Sequence, residues 1–184
     1  MSATPEISKA QLLLVEYQAL KDEQKARIGF RDNLLYVTLG AVVTALIASK
    51  QLDIASALLA LPVICLILGW TYVANDEKIS AIGRYVRGTL APKLAALMPA
   101  GTSDSELFAW ESFHRTDRRR KARKVFQCAV DLTCFCLIPL AAIVGYWSSP
   151  EPASLLVVTS LAELIAILLL GWQVLVYARA HFED

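Results

Sequence analysis

Two carboxylates stand inside long apolar runs of this sequence, Asp131 within Val125–Trp147 and Glu163 within Leu155–Ala178. An acid at membrane depth is costly, faces a bundle interior or water, and is a functional hypothesis in its own right. Asp131 shares a helical stripe with Gln127 at i−4 and Cys134 at i+3, and Glu163 has Thr159 at i−4. Helical rise is about 1.5 Å per residue. Asp131 lies six residues from the inner end of its run and Glu163 eight residues from the outer end of its own, so the two sit at different depths and a direct pair within one chain is not expected. Two readings stand side by side. In the first, Gln127, Asp131, Cys134, Thr159 and Glu163 line a conduction path, with Glu163 repeated around a symmetric pore as an acidic ring. In the second, they form hydrogen bonds between helices and carry no transport.

Other reactive residues point to no chemistry beyond this. Cys65, Cys128, Cys134 and Cys136 all fall in apolar runs without a CxxC pair, and the chain has only two His. They read as small hydrophobes rather than as a disulfide framework or a zinc site. HExxH, GxSxG, P-loop and GxGxxG patterns are all missing, which argues against an enzyme and gives no cofactor or metal to expect. Pro62 and Pro139 interrupt the second and third apolar runs in their outer halves. Each removes a backbone donor and kinks a helix, as a hinge or as a fixed element of shape. The basic run Arg118, Arg119, Arg120, Lys121, Arg123 and Lys124 abuts the third apolar run. It suits anionic lipid headgroups, or a cytosolic anionic ligand such as a nucleotide. It lacks the interleaved aromatics of a single-strand binder, so nucleic acid is not expected as a partner.

The elements that must position these residues are four apolar runs: Leu34–Ser49, Ile54–Asn75, Val125–Trp147 and Leu155–Ala178. A bilayer core takes roughly 20 apolar residues per helix. The last three runs satisfy this, and the first is extended by Arg31 and Lys50, which can snorkel to opposite interfaces. A soluble bundle would show a polar face every few residues, and Ile54–Asn75 shows none. The expected fold is therefore all-α and polytopic, with four transmembrane helices as two hairpins and helical segments outside the membrane. Residues 1–33 lack the short apolar core and small-residue cleavage site of a signal peptide.

Charge is segregated. Five Lys/Arg precede the first run, eleven lie in Asp76–Lys124, and the two remaining connections hold only Lys50 between them. By the positive-inside rule, residues 1–33, 76–124 and 179–184 are cytosolic, residues 34–75 and 125–178 are the two hairpins, and the membrane is the cell inner (plasma) membrane with both termini inside. Tyr36, Trp70, Tyr72, Trp172 and Tyr177 then fall near inner ends, and Tyr146 and Trp147 near an outer end, as an interfacial belt.

Residues 6–30 read as a moderately amphipathic helix, with Ala10, Leu13, Leu14, Tyr17 and Leu20 on one side, running into the first span. Ile79, Ile82, Tyr85, Val86 and Leu90 repeat at helical spacing, and Pro92 and Pro99 mark the end of that unit. Ser103 and Glu106 form a capping box for a further helix bearing Leu107, Phe108, Trp110 and Phe113. The pentapeptides Leu66–Trp70 (LILGW) and Leu168–Trp172 (LLLGW) match, as a duplicated hairpin would leave them or as a common interfacial pairing of Gly with Trp. Small residues at four-residue spacing, such as Gly40–Thr44–Ala48, Ala141–Gly145 and Ala162–Ala166, allow close helix approach, within one chain or between subunits.

The stretch Arg27–Tyr36 entering the first span resembles a pattern of small bacterial membrane proteins. The N-terminal helix, first hairpin and following helices, about residues 6 to 124, resemble the SLATT class of membrane effectors of nucleotide-signalling and anti-phage systems. That resemblance implies a pore-forming antiviral defence effector; the second hairpin departs from it. The resulting expectation is a homo-oligomeric channel or pore gated from the cytosolic side. The alternatives are a non-conducting adaptor or regulator that binds a cytosolic protein or nucleotide, and a small transporter. Membrane lipids are the expected surroundings in every case.

Overall fold

A computed structural model of the chain describes residues 8–51, 54–98, 119–150 and 153–183. All regular elements among them are helical, and four helices are long and apolar enough to cross a membrane: Lys9–Gln51, Ala55–Ala95, Ala122–Trp147 and Ser154–Arg179. The chain is an all-α, multi-pass membrane protein. These helices are called the first to fourth spans below. The expected capping box at Ser103–Glu106, the helix bearing Leu107, Phe108, Trp110 and Phe113, and Arg118 lie outside the described residues.

The first span starts at Lys9 because Ser8 and Gln11 cap it reciprocally. The Ser8 amide donates to Gln11 Oε1 at 2.9 Å and the Gln11 amide to Ser8 Oγ at 3.2 Å, which satisfies two of the donors that a helix start leaves open. The helix then runs unbroken for 43 residues, as expected from a stretch without proline.

Two turns widen to the π form, Val86–Leu90 and Thr133–Leu137, and each is followed two residues later by a proline, Pro92 or Pro139. Proline offers no N–H to the carbonyl four residues back, and its ring crowds that carbonyl; these are Gly88 and Phe135. The wider turn carries the chain past the clash and the helix continues. Pro92 therefore does not end its helix, contrary to the sequence expectation: the second span reaches Ala95. Pro62 is also re-sited. It falls in the first turn of Ala60–Tyr85, directly after a 3-10 turn at Ala55–Leu59, where a missing donor costs least.

The described helices divide into two compact units, one from Met1–Gly29 and Asp76–Arg120, the other from Phe30–Asn75 and Lys121–Asp184. In the first unit, Leu13, Val86, Leu90 and Leu94 form a buried core joined by Tyr17, Leu20 and Ile82. Each such side chain contributes about 1.5–3 kcal/mol when fully buried from water. Leu14, expected on the same face, points away and is 49% exposed. Gln24 Nε2 donates to the Ile79 carbonyl at 3.2 Å. Gly83 is buried at this crossing, where a Cβ would lie 3.7 Å from Gln24 Nε2, an ordinary contact, and 3.1 Å from the flexible Arg87 guanidinium of its own helix. Tyr85 Oη donates to Glu16 at 2.6 Å.

In the second unit all four spans meet around Phe135, which is wholly buried among Leu34, Tyr72, Val73, Cys134, Leu170 and Val174. Successive residues of an α-helix point about 100° apart. Cys134, Phe135 and Cys136 are nevertheless all buried, because the third span has helices on more than one side. A Cβ on Gly69 of the second span would lie 3.0 Å from Phe135 Cβ and 2.7 Å from Leu170 Cδ2, and one on Gly171 of the fourth span 3.3 Å from Cys136 Sγ. The two matching pentapeptides thus do the same job: each glycine lets its helix close on the π turn of the third span, and the tryptophan after it, Trp70 or Trp172, points outward. At the far end a second core gathers Leu59, Ile143 and Tyr146. There Trp147 Nε1 donates to Ser160 Oγ at 2.7 Å and the Ala153 amide to Tyr146 Oη at 3.0 Å, which fixes the entry to the fourth span.

Candidate functional site

The five residues expected to line one path separate into two groups. Gln127 and Asp131 come together: Gln127 Nε2 donates to Asp131 Oδ1 at 2.9 Å and also to Tyr72 Oη on the second span. Asp131 is 8% exposed and Tyr72 2%, so the amide spends both of its N–H groups on acceptors that are cut off from solvent. Tyr72 in turn leans on Phe135, ring centroids 5.2 Å apart. Cys134, one turn beyond Asp131, belongs to the same packed core and is a buried free thiol, as are Cys65 and Cys136; Cys128 is a half-buried one. Asp131, Tyr72 and Cys134 are all buried within the packed helices of the chain.

Thr159 and Glu163 lie apart from it. Thr159 is exposed and its hydroxyl donates to the Leu156 carbonyl of its own helix at 3.0 Å. Glu163 stands at the margin between the inward and outward faces of the fourth span, next to exposed Leu161 and Ala162 and one turn before buried Ile167. Its Oε2 is shut off from the surroundings and has no hydrogen-bond partner, the one such side-chain atom among the described residues. In hydrocarbon a polar atom in this position costs far more than the same atom in water. A turn of its side chain toward Thr159 would carry the carboxyl to the outward face.

Of the two proline candidates, Pro139 follows the π turn in the middle of the third span and Pro62 sits at a helix start; both side chains are buried. From the basic run, Arg119 is exposed and precedes the helix Arg120–Leu132, on whose first turns Arg123 is exposed and Lys124 half-buried.

Sequence reasoning placed Tyr72 and Tyr146 in an interfacial belt. Both are buried and hydrogen-bonded inside the bundle, whereas Tyr36, Trp70 and Trp172 face outward. It also missed Phe135, which no polar neighbour or spacing marks. The repeated Leu-Gly-Trp ending was the available signal for the two glycine contacts. No family model, curated protein or solved structure matches the chain.

Proposed function

We propose that the chain assembles with copies of itself into a membrane channel opened from its basic-residue side. The observation that carries this reading is Glu163, a carboxyl within a membrane-spanning helix whose buried Oε2 has no hydrogen-bond partner among the described residues. Lipid tails offer it nothing. Water along a shared axis does, and a ring of such acids concentrates cations and favours their passage. The fourth span is suited to face such an axis, since the side bearing Thr159, Ala162 and Glu163 is left largely uncovered by the chain itself. Gating from one side is suggested by helix continuity: the helices of the first and second spans also supply residues to the smaller helical unit. The abundance of Lys and Arg in residues 1–33 and 76–124 favours the cytosol for that unit.

A second reading, a non-conducting adaptor, is favoured by the apolar residues that the smaller unit leaves exposed, Leu12, Leu14 and Val15 on one helix and Leu97 and Met98 in the turn that follows the other. Single-channel recording of the purified chain in planar bilayers, with its mass measured in the same detergent, separates the two. Cation-selective steps from a homo-oligomer are the expected result. A strictly monomeric, silent protein would leave the adaptor reading in place.

A further inference from the structure

The third span is unevenly held along its length. From Asp131 to Cys136 it is the centre of the bundle, with Phe135 fully buried. Before Asp131 it is lightly covered: of residues 122–130 all but Lys124 and Cys128 are exposed, Phe126 to 74%. The π turn Thr133–Leu137 lies directly beyond, with Pro139 behind it. π turns of this kind mark places where a helix changes direction or register. Across the lightly covered stretch, Gln127 reaches the second span through Tyr72 and holds Asp131 with the same amide nitrogen.

We propose that residues 122–130 form an arm that pivots at the Thr133–Leu137 turn and is latched to the bundle by Gln127 through Tyr72 and Asp131. The placement suits a latch. Gln127 sits at the exposed rim, so one side-chain rotation releases both bonds. Its two acceptors are buried, so closure is favoured whenever the amide is in reach. Tyr72 lies on the helix that continues to Ala95, so axial movement of that helix strains the same bond. The arm rests on the channel reading only for its consequence, that release opens the conducting path.

The test is a pair of distances in the full chain in nanodiscs, with nitroxides attached through non-canonical amino acids. Labels at exposed positions 125 and 67 report the arm against the second span. Labels at exposed positions 144 and 155 report the outer half of the unit. Tyr72→Phe keeps the ring on Phe135 and removes the acceptor, and Gln127→Leu removes the donor. Tyr72→Phe should raise the population of a longer 125–67 distance about fivefold, the shift that follows from loss of one net hydrogen bond, and Gln127→Leu, which loses both bonds, should raise it further, while the 144–155 distribution stays unchanged in each. Identical 125–67 distributions in wild type and both variants would overturn the latch. So would broadening of both pairs together, which would make these bonds general supports of the bundle. If the arm is released and no current flows in either variant, the channel reading fails and the latch stands.

Discussion

Asp131 and Glu163 are the same kind of group in the same kind of helix, yet the protein treats them in opposite ways. Asp131 is enclosed, with Gln127 donating to it and Tyr72 sharing that donor. Glu163 stands at the edge of the bundle with one oxygen closed off and unanswered. A satisfied polar group within a span specifies how helices pack. An unsatisfied one raises the energy of the single chain and finds its use outside it. On the proposed channel reading the contrast gives Asp131 an architectural part and Glu163 a functional one, although their sequence settings look alike.

The largest effect expected from this contrast is on stability. Asp131→Ala removes the buried carboxyl that accepts from Gln127 and should destabilise the chain by about 1–3 kcal/mol, the range for a hydrogen bond to a carboxyl group. Glu163→Ala should leave single-chain stability within about 0.5 kcal/mol of wild type or raise it, because an unpaired buried oxygen is removed. Reversible unfolding in mixed detergent measures both, and equal losses at the two sites would erase the distinction.

The two glycines sharpen it next. Gly69→Ala drives a Cβ to 3.0 Å from the Cβ of Phe135, close beside the Asp131 network, and should cost about 1–3 kcal/mol by overpacking. Gly171→Ala meets only the Cys136 sulfur at 3.3 Å and should cost less than about 1 kcal/mol. A reversal of that order in the same unfolding assay would contradict the packing described around the π turn.

The smallest effect lies beyond the second apolar stretch, in the helix pair. The hydrogen bond to Glu16 holds the Tyr85 phenol above its ordinary pKa of 10.0. The folded form thus favours the protonated phenol. Its contribution is present in full below the unfolded pKa and is lost as pH rises through the raised folded value. Stability should therefore fall more steeply above pH 10.0 in wild type than in Tyr85→Phe, as followed by circular dichroism of the two proteins.

The spans, the hairpins and the continuous first helix were legible in the sequence because lipid demands a long apolar run for each crossing. The pairing of Gln127 with Asp131 was legible too, as an i, i+4 stripe. What the sequence did not disclose depends on neighbours far away in the chain. Tyr72 is indistinguishable from an interfacial tyrosine until the third span lies beside it, and Phe135 is one apolar residue among many until four helices converge on it. The prolines misled for a related reason. The same residue ends a helix, starts one, or is absorbed by a π turn, and tertiary contacts choose among these outcomes. Thr159 and Glu163 keep the stripe expected of them but stand at the outer margin of one chain.

Cation flux from proteoliposomes carrying wild type, Asp131→Asn or Glu163→Gln at matched oligomer mass tests the assignment of the two acids most directly. Asparagine and glutamine keep the shape of each site and remove its charge. The account predicts cation flux from wild type, comparable flux from Asp131→Asn, and a marked loss of flux or cation preference in Glu163→Gln with assembly intact. Unaltered cation-selective flux in Glu163→Gln, or its loss in Asp131→Asn alone, would contradict it.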